Sequence, residues 1–301
     1  MTLEEFLAAR PMLFALAYRM LGSSSEAEDV LQEAWIRAAK ATTAVDNPEA
    51  WLTTVVTRLC LDVLGSARVR REAYVGPWLP EPLVSTEEGP EQAAELADSV
   101  SLAFLVLLEE LSPAERAAFL LREVFRFDYA EVARMLDRSE ASCRQLVSRA
   151  HKHVDERRSR FTADRARAQE LSLTFLFACQ TGDLSAVTAL LAEDAVLVTD
   201  GGGKVSAARR PINGADRIGR FLIGVLHKAG PEIAYLPASV NGEPGVLGLV
   251  DGVVITAVAV EVADEVITGI RIVSNPDKLQ HLTTAAVKTV GAATAQAAAP
   301  D

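Results

Sequence analysis

The stretch from Asp128 to Val154, DYAEVARMLDRSEASCRQLVSRAHKHV, constrains this chain more than any other. Its apolar spacing predicts two helices joined by a tight turn. Asp128 and Glu131 form a capping-box pair at the start of the first helix, where acidic side chains are favoured. Val132, Ala133 and Leu136 give that helix an apolar stripe. Asp137-Arg138-Ser139 ends it, and Ser139 is placed as N-cap of the second helix. There Cys143, Leu146, Val147, Ala150 and Val154 recur at i, i+3, i+4, i+7 spacing and predict the buried side. The other side carries Ser142, Arg144, Gln145, Ser148, Arg149 and Lys152. These long donors and small hydroxyls are the residue types that reach base edges and phosphates in a major groove. On an ordinary helical hairpin the same face would simply be solvated. The stretch alone leaves both readings open.

The chain has 301 residues, enough for two or three domains, and 50% of them are hydrophobic, so large cores can be buried. A formal net charge of -11 argues against a coat of basic charge for indiscriminate nucleic-acid binding. The charge is uneven. From Ser142 to Arg167 the chain carries Arg144, Arg149, Lys152, Arg157, Arg158, Arg160, Arg165 and Arg167 against Asp155, Glu156 and Asp164. Cys60, Cys143 and Cys179 lie far apart, and no pair has metal-ligand or redox spacing. No metal or cofactor is expected, and a reduced cytoplasmic compartment is. The N-terminal MTLEEFLAAR is acidic and does not read as a signal peptide. No apolar run approaches the length of a membrane span.

Residues 1–74 read as a helical domain. Leu3 to Leu21 is an amphipathic helix that Gly22 and three serines break. Ser25 is placed to cap the next helix, with Glu28 three residues on, and that helix runs to Lys40. Asn47-Pro48 starts a third in the favoured N-cap, N1 order. It runs through Trp51, Leu52, Val55, Val56, Leu59 and Val63 to the basic run Arg68-Val69-Arg70-Arg71. Residues 75–98 differ. Pro77, Pro80, Pro82 and Pro90 prevent a continuous helix over the first part. Glu81, Glu87, Glu88, Glu91, Glu95 and Asp98 face no Lys or Arg, so the segment reads as an acidic linker. Trp78 and Leu79 inside it are expected to dock.

Residues 99–160 are helical again. Ser112-Pro113-Ala114-Glu115 is a strong start signal for a helix through Phe125, ahead of the helix-turn-helix. Residues 161–285 change period. A helix from Asp164 to Gln180 ends at Thr181-Gly182, and a short helix follows to Leu191. AVLVTD and KVSAARRPI come next, then a helix from Asn213 to Lys228 and four strand-like runs, EIAYLPASV, GVLGLV, VVITAVAV and VITGIRIV. Asn241-Gly242, Asp251-Gly252 and Ala263-Asp264 mark the turns between them. Helices followed by a strand meander predict an α+β domain with a curved sheet around a helix-lined pocket. Residues 286–301 read as a frayed tail.

Together these segments resemble the extracytoplasmic-function sigma factors of bacterial RNA polymerase. AEDVLQEAWIRA, Ala27 to Ala38, is similar to the family's core-binding helix, with Asp29, Gln32 and Glu33 at its acidic and amide positions. NPEAWLTTVVTRLCLDVL resembles the helix that opens and holds the promoter -10 element. The segment from Ser112 to Val154 resembles region 4, which reads the -35 element. Residues 161–285 resemble a SnoaL-like domain of the NTF2-like superfamily, carried by one sigma-factor subgroup. Three marks fit that subgroup: WLPEPL at Trp78 to Leu83, DGGGK at Asp200 to Lys204, and NPDKL at Asn275 to Leu279. Two positions depart from the wider family. Arg58 stands where many members carry Asn, and Asp137-Arg138 replaces the common Gly before the recognition helix.

The resemblance implies a multidomain chain, two all-α sigma domains followed by an α+β domain, that binds core polymerase and promoter DNA and does no bond chemistry. Asp29, Gln32 and Glu33 would face the clamp coiled coil of the polymerase. Trp51, Arg58, Arg68, Arg70 and Arg71 supply the stacking surface and cations that capture of the -10 single strand needs. Trp51 fits a core position equally well, in register with Val55 and Leu59. For the -35 duplex, Arg144, Gln145 and Arg149 are placed for base or groove contacts, and Ser142, Ser148 and Lys152 for the backbone. Trp78, Leu79, Pro80, Asp200, Gly201, Gly202, Gly203, Lys204, Asn275, Pro276, Asp277 and Lys278 would join the last domain to the sigma domains as a built-in regulator. SnoaL-like enzymes use a pocket acid–base pair, and a small-molecule ligand would sit in such a pocket. Here His227, Asp200, Lys204, Arg209 and Asp251 are the candidates, and spacing pairs none of them. Gly201 to Lys204 is followed by no helix, so it reads as a hairpin turn rather than a phosphate loop. Two competing readings are a SnoaL-like pocket enzyme fused to a DNA-binding module and a ligand-sensing repressor. A repressor has no need of AEDVLQEAW.

Overall fold

The computed structural model describes residues 2–40, 47–72, 74–85, 101–155, 165–229 and 232–282, with the side chains of 67–72, Ser85, Asp155, Arg165 and Ala166 left out. The chain divides into two compact units. Unit 1 comprises residues 1–73 and 104–158, and unit 2 comprises residues 74–103 and 159–301. The predicted linker thus begins inside unit 2.

Unit 1 is helical. Helix α1 (Leu3–Leu21) opens with a capping box between Thr2 and Glu5 and closes on Gly22, whose φ of 68° is the left-handed conformation glycine adopts freely. Helix α2 (Ser24–Lys40) starts one turn earlier than expected. Ser23 is its cap, its hydroxyl accepting the Glu26 N–H at 3.1 Å, so Ser25 is not. Glu28 is instead held by Arg10 at 2.6 Å. Helix α3 (Pro48–Glu72) is capped by Asn47, whose side chain accepts the Ala50 N–H at 3.0 Å. Its buried stripe is Leu52, Val56, Leu59, Cys60 and Leu64, with Val55 and Val63 only half-buried.

Helix α4 (Leu102–Glu109), whose first two residues belong to unit 2, is followed by α5 (Pro113–Phe119), which begins with the expected capping box of Ser112 and Glu115. A π-helical turn, Leu120–Val124, continues α5. Helices α6 (Tyr129–Leu136) and α7 (Glu140–Asp155) complete the unit. α3 packs on α5 and α6, and α1 on α5. Leu13, Leu16, Leu31, Leu52, Leu105, Leu108 and Leu120 are all fully buried. Each contributes about 2 kcal/mol relative to an exposed position. Arg116 of α5 is buried among them, its Nη1 donating to the Met20 carbonyl and pairing with Glu109, both at 2.6 Å. Burial lowers its guanidinium to about 10. Those partners repay the desolvation that would otherwise expel it.

Unit 2 is α+β. Helices α8 (Arg165–Thr181) and α9 (Leu184–Ala189) precede strand β2 (Leu191–Asp200), while β1 (Val84–Ser85) comes from the predicted linker. Strand β3 (Ile212–Asn213) and helix α10 (Ala215–Ala229) lead into β4 (Ala234–Val240), β5 (Glu243–Val250), β6 (Val253–Ala263) and β7 (Val266–Val273). A short helix α11 (Pro276–Leu279) follows. KVSAARRPI contributes only its last residue, Ile212, to the sheet, because Thr199 Oγ1 and the Ala208 backbone bond each other and turn the segment aside. The strand order is β1-β4-β5-β6-β7-β2-β3, with β2 and β7 parallel and the other pairs antiparallel. Register shifts at Gly248/Leu249 and Glu261/Val262 bend the strands. The last turn is Asp264-Glu265, one residue later than expected. Both residues have positive φ, the geometry that two-residue hairpins require.

The two sheet faces differ. One carries Leu197, Val260, Val262, Ile267 and Ile270 against Phe175, Val187, Ile218 and Leu222 of α8, α9 and α10. Buried apolar side chains line the space between this face and the three helices. By register the opposite face carries Asp200, Glu243, Ala257, Ala259, Glu261, Gly269, Arg271 and Val273. Leu79 of the predicted linker, Leu102 and Lys278 of the NPDKL segment bond to this face.

Candidate polymerase and promoter interface

On α2 the buried stripe of Ala27, Val30, Leu31, Ala34 and Ala38 turns Asp29 and Gln32 to solvent. Glu33 is half-buried and pairs with Arg37 at 2.8 Å. Ile36, one helical turn beyond Gln32, is 40% exposed on the same side and adds an apolar spot to it. On α3, Trp51 is half-buried, between its two sequence readings. Arg58 is exposed, yet its Nε donates to the Met135 carbonyl at 3.3 Å, near the end of α6. The side chains of Arg68, Arg70 and Arg71 lie outside the described residues.

The helix-turn-helix forms as its local signals require. Glu131 N–H donates to Asp128 Oδ1 at 2.7 Å, and Asp128 N–H to Glu131 Oε2 at 2.9 Å. Val132, Ala133 and Met135 form the buried face of α6; Leu136, expected there, is half-buried. Asp137 takes the left-handed turn position with φ 53°. Ser139 caps α7 by accepting the Ser142 N–H at 3.2 Å. Cys143, Leu146, Val147, Ala150 and Val154 are buried. Arg144, Gln145, Ser148, Arg149 and Lys152 are therefore exposed together along one side, with Ser142 half-buried beside them.

Two of these arginines are already held. Arg149 pairs with Glu115 at 3.2 Å. Arg144 pairs with Glu140 at 2.8 Å and stands 4.8 Å over the Tyr129 ring. Arg122 covers the same ring at 4.8 Å and donates to the Phe127 carbonyl at 3.0 Å. Sequence reasoning missed Arg122 and Tyr129. Arg122 lies in the π-turn rather than on the recognition helix, so helical spacing gave no signal for it.

In unit 2 the three marks meet at Asp200, which is 1% exposed. Its Oδ1 accepts the Tyr74 hydroxyl at 2.6 Å and the Gly202 N–H at 2.9 Å. Its Oδ2 accepts the Leu79 N–H and the Lys278 ammonium, each at 2.8 Å. Lys278 Nζ also donates to the Leu79 carbonyl and stands 4.2 Å over the Trp78 ring. Burial, then the bond to Asp200, raises the Tyr74 phenol above its ordinary value. Asn275 donates to the Tyr74 oxygen at 2.8 Å and caps α11, where Pro276 takes the first turn. Lys204 pairs with Asp277 at 2.6 Å. Gly202 has φ 60°, and a Cβ there would fall 2.3 Å from the Asn275 side chain. Pro80 is buried beside Leu79. A cleft of about 180 Å³ opens nearby, lined by Val75, Gly76, Thr199, Val205, Ser206 and Arg209 among others.

Asp200 is saturated by its four donors. His227 is exposed in the last turn of α10, and Asp251 is exposed at a hairpin turn. Among the described residues no cluster of His, Cys, Asp or Glu is arranged to hold a metal ion, and no helix is long and apolar enough to cross a membrane.

Comparison with known proteins fits this architecture. Residues 6–71 match the family model for Sigma-70 region 2, and residues 101–154 that for Sigma-70, region 4. The ECF RNA polymerase sigma factor SigJ of Mycobacterium tuberculosis is 41% identical over 290 residues, covering 92% of this chain and 93% of its own. The chain belongs to the extracytoplasmic-function (ECF) sigma-factor family. It is a transcription initiation factor that directs bacterial RNA polymerase core to promoters. A probable ECF sigma factor, SigI of the same species, is 32% identical over 279 residues, or 91% of this chain and 93% of its own. The crystal structure of SigJ superposes with a TM-score of 0.75 at 37% identity, covering 93% of this chain and 98% of that one. In these terms α1 to α3 form region 2 and α4 to α7 form region 4, and the α+β unit falls within the length shared with SigJ.

Proposed function

We propose that this ECF sigma factor grips polymerase and promoter through three separate faces, and that its SnoaL-like unit regulates the grip. Asp29, Gln32 and Glu33 of α2 meet the clamp coiled coil of core polymerase, with Ile36 as an apolar contact at the edge. Trp51 and Arg58 of α3, with Arg68, Arg70 and Arg71, capture the -10 single strand. Arg144, Gln145 and Arg149 of α7 read the -35 duplex. Ser142, Ser148 and Lys152 hold its backbone, and Tyr129, with Arg122 on the same ring, steadies Arg144. The observation that carries this reading is the α7 face, where six donor-bearing side chains stand opposite a stripe of five buried ones.

The protein does no bond chemistry and works in the cytoplasm. The domain limits 1–74, 75–98, 99–160 and 161–285 are proposed with this reading. The Asp200 hub supports the regulatory part. It ties the first residues after region 2 to both the DGGGK loop and the NPDKL segment, so any change at the hub is passed to the chain that links the two sigma regions.

Polymerase binding tests the first face. Asp29→Ala with Gln32→Ala is expected to weaken binding of the full chain to core polymerase by tenfold or more. Unchanged binding would remove α2 from the interface.

A further inference from the structure

The sheet face that holds Asp200 carries three more charged side chains. Gly245 pairs with Ala259 and Glu261 with Gly269, so Glu243 of β5 stands across from Glu261 of β6. Arg271 of β7, paired with Ala259, lies diagonally from Glu261. Glu243 is 7% exposed and Glu261 5%. Gly269 makes room for the pair, since a Cβ there would fall 2.6 Å from the Glu261 carboxyl carbon. Arg271 Nη2 lies 2.8 Å from Glu261 Oε1. Arg271 Nε and Nη1 and Glu243 Oε1 have no hydrogen-bond partner among the described residues. The other oxygen of Glu243 accepts the backbone N–H of Leu102 at 3.3 Å. Leu102 is fully buried and is the first residue of α4.

Two nearly buried carboxylates stand near one guanidinium, and only Glu261 pairs with it. With both ionised, the Glu243 charge has no salt-bridge partner among the described residues. Like charges held this close ionise one at a time, so the pair retains a proton. Burial, then the charge of Glu261, raises the Glu243 carboxyl well above its ordinary value; Arg271 and the Leu102 N–H, which both favour the ionised form, oppose this without outweighing it. Burial raises Glu261 as well, and Arg271 again opposes. Glu261 from β6 and Arg271 from β7 are the charged groups that act on Glu243, and the α4 side presents the Leu102 N–H.

We propose that Glu243 is a proton-dependent positioning residue that clasps Leu102, the start of α4, to the sheet. With its proton, Glu243 sits beside Glu261 without repulsion and accepts the Leu102 N–H. Loss of the proton sets two carboxylates against each other, and Glu243 leaves for water and releases Leu102. The sign follows from the raised folded-state value. The clasp is fully closed below the ordinary carboxylate range and weakens as pH rises through the raised value. The regulatory reading above is needed only for the consequence in transcription, since residues 101–154 are the segment matched to region 4.

Site-resolved amide hydrogen exchange of Leu102 in the full chain, across pH 5.5 to 8.5, tests the clasp. After correction for the intrinsic rate, the opening equilibrium in wild type should rise with pH, by up to about tenfold per unit for one linked proton. Glu243→Gln keeps an acceptor without a titrating group, so protection should persist and its pH dependence disappear. Glu261→Gln leaves Glu243 alone with Arg271, and protection should extend to higher pH. Glu243→Ala should lose protection at every pH. One common pH dependence for wild type, Glu243→Gln and Glu261→Gln would overturn the proposal, as would unchanged protection in Glu243→Ala. Should Glu243→Gln not fold, Glu261→Gln against wild type decides alone. Exchange reads the clasp directly, so its failure is distinct from a failure of the regulatory reading.

Discussion

Asp200 places four donors on two oxygens, and Lys278 supplies the positive charge that its burial requires. The pair is almost wholly buried, with side-chain exposures of 8% and 0%. Removing one member strands the other. Asp200→Ala is therefore expected to destabilise unit 2 by about 3–5 kcal/mol in chemical denaturation, and pairing it with Lys278→Met should recover much of that loss. A loss under about 1 kcal/mol would mean that water reaches Lys278. Arg149 presents the opposite case. Its pair with Glu115 is exposed on the arginine side, and such a pair contributes about 1 kcal/mol or less. DNA can compete for that side chain at little cost. Arg149→Ala should weaken -35 binding by about 1–3 kcal/mol and relax specificity at one position if it reads a base. A uniform loss with a shallower salt slope would place it on phosphate.

Among the elements, the helix-turn-helix was the most legible. Its caps and buried stripe are set by residues three and four apart, and every buried position foreseen on α7 is buried. The turn held one surprise in degree. Asp137 occupies a left-handed conformation that disfavours a side chain. Asp137→Gly should raise the stability of unit 1 by about 0.5–1 kcal/mol, read as a higher thermal midpoint. No gain would mean that the Asp137 side chain makes an offsetting contact. The Asp200 hub was legible only as three family marks. Its bonds join residues 126, 121 and 78 positions apart, and no local period announces such a meeting. Glu243 and Glu261 were invisible for a related reason. A charged residue in a strand reads as solvent-facing, and no local pattern shows that Leu102 meets Glu243 or that Arg271 pairs with Glu261.

At the scale of the molecule, a chain with net charge -11 can bind an anionic polymer only where its cations are confined to particular faces, as proposed for α3 and α7. Affinity for promoter DNA should then be steeply salt-dependent and weak without polymerase, which contributes the remaining contacts. The central claim is that the chain, on core polymerase, selects promoters through α3 and α7. Transcription by core polymerase reconstituted with the full chain, on a library of promoter fragments, tests it most directly. The expected result is a discrete set of transcripts that share sequence at two positions upstream of their starts, reduced about tenfold or more by Arg149→Ala, in line with the binding loss above. A reconstituted enzyme that yields no promoter-specific transcript would contradict the account.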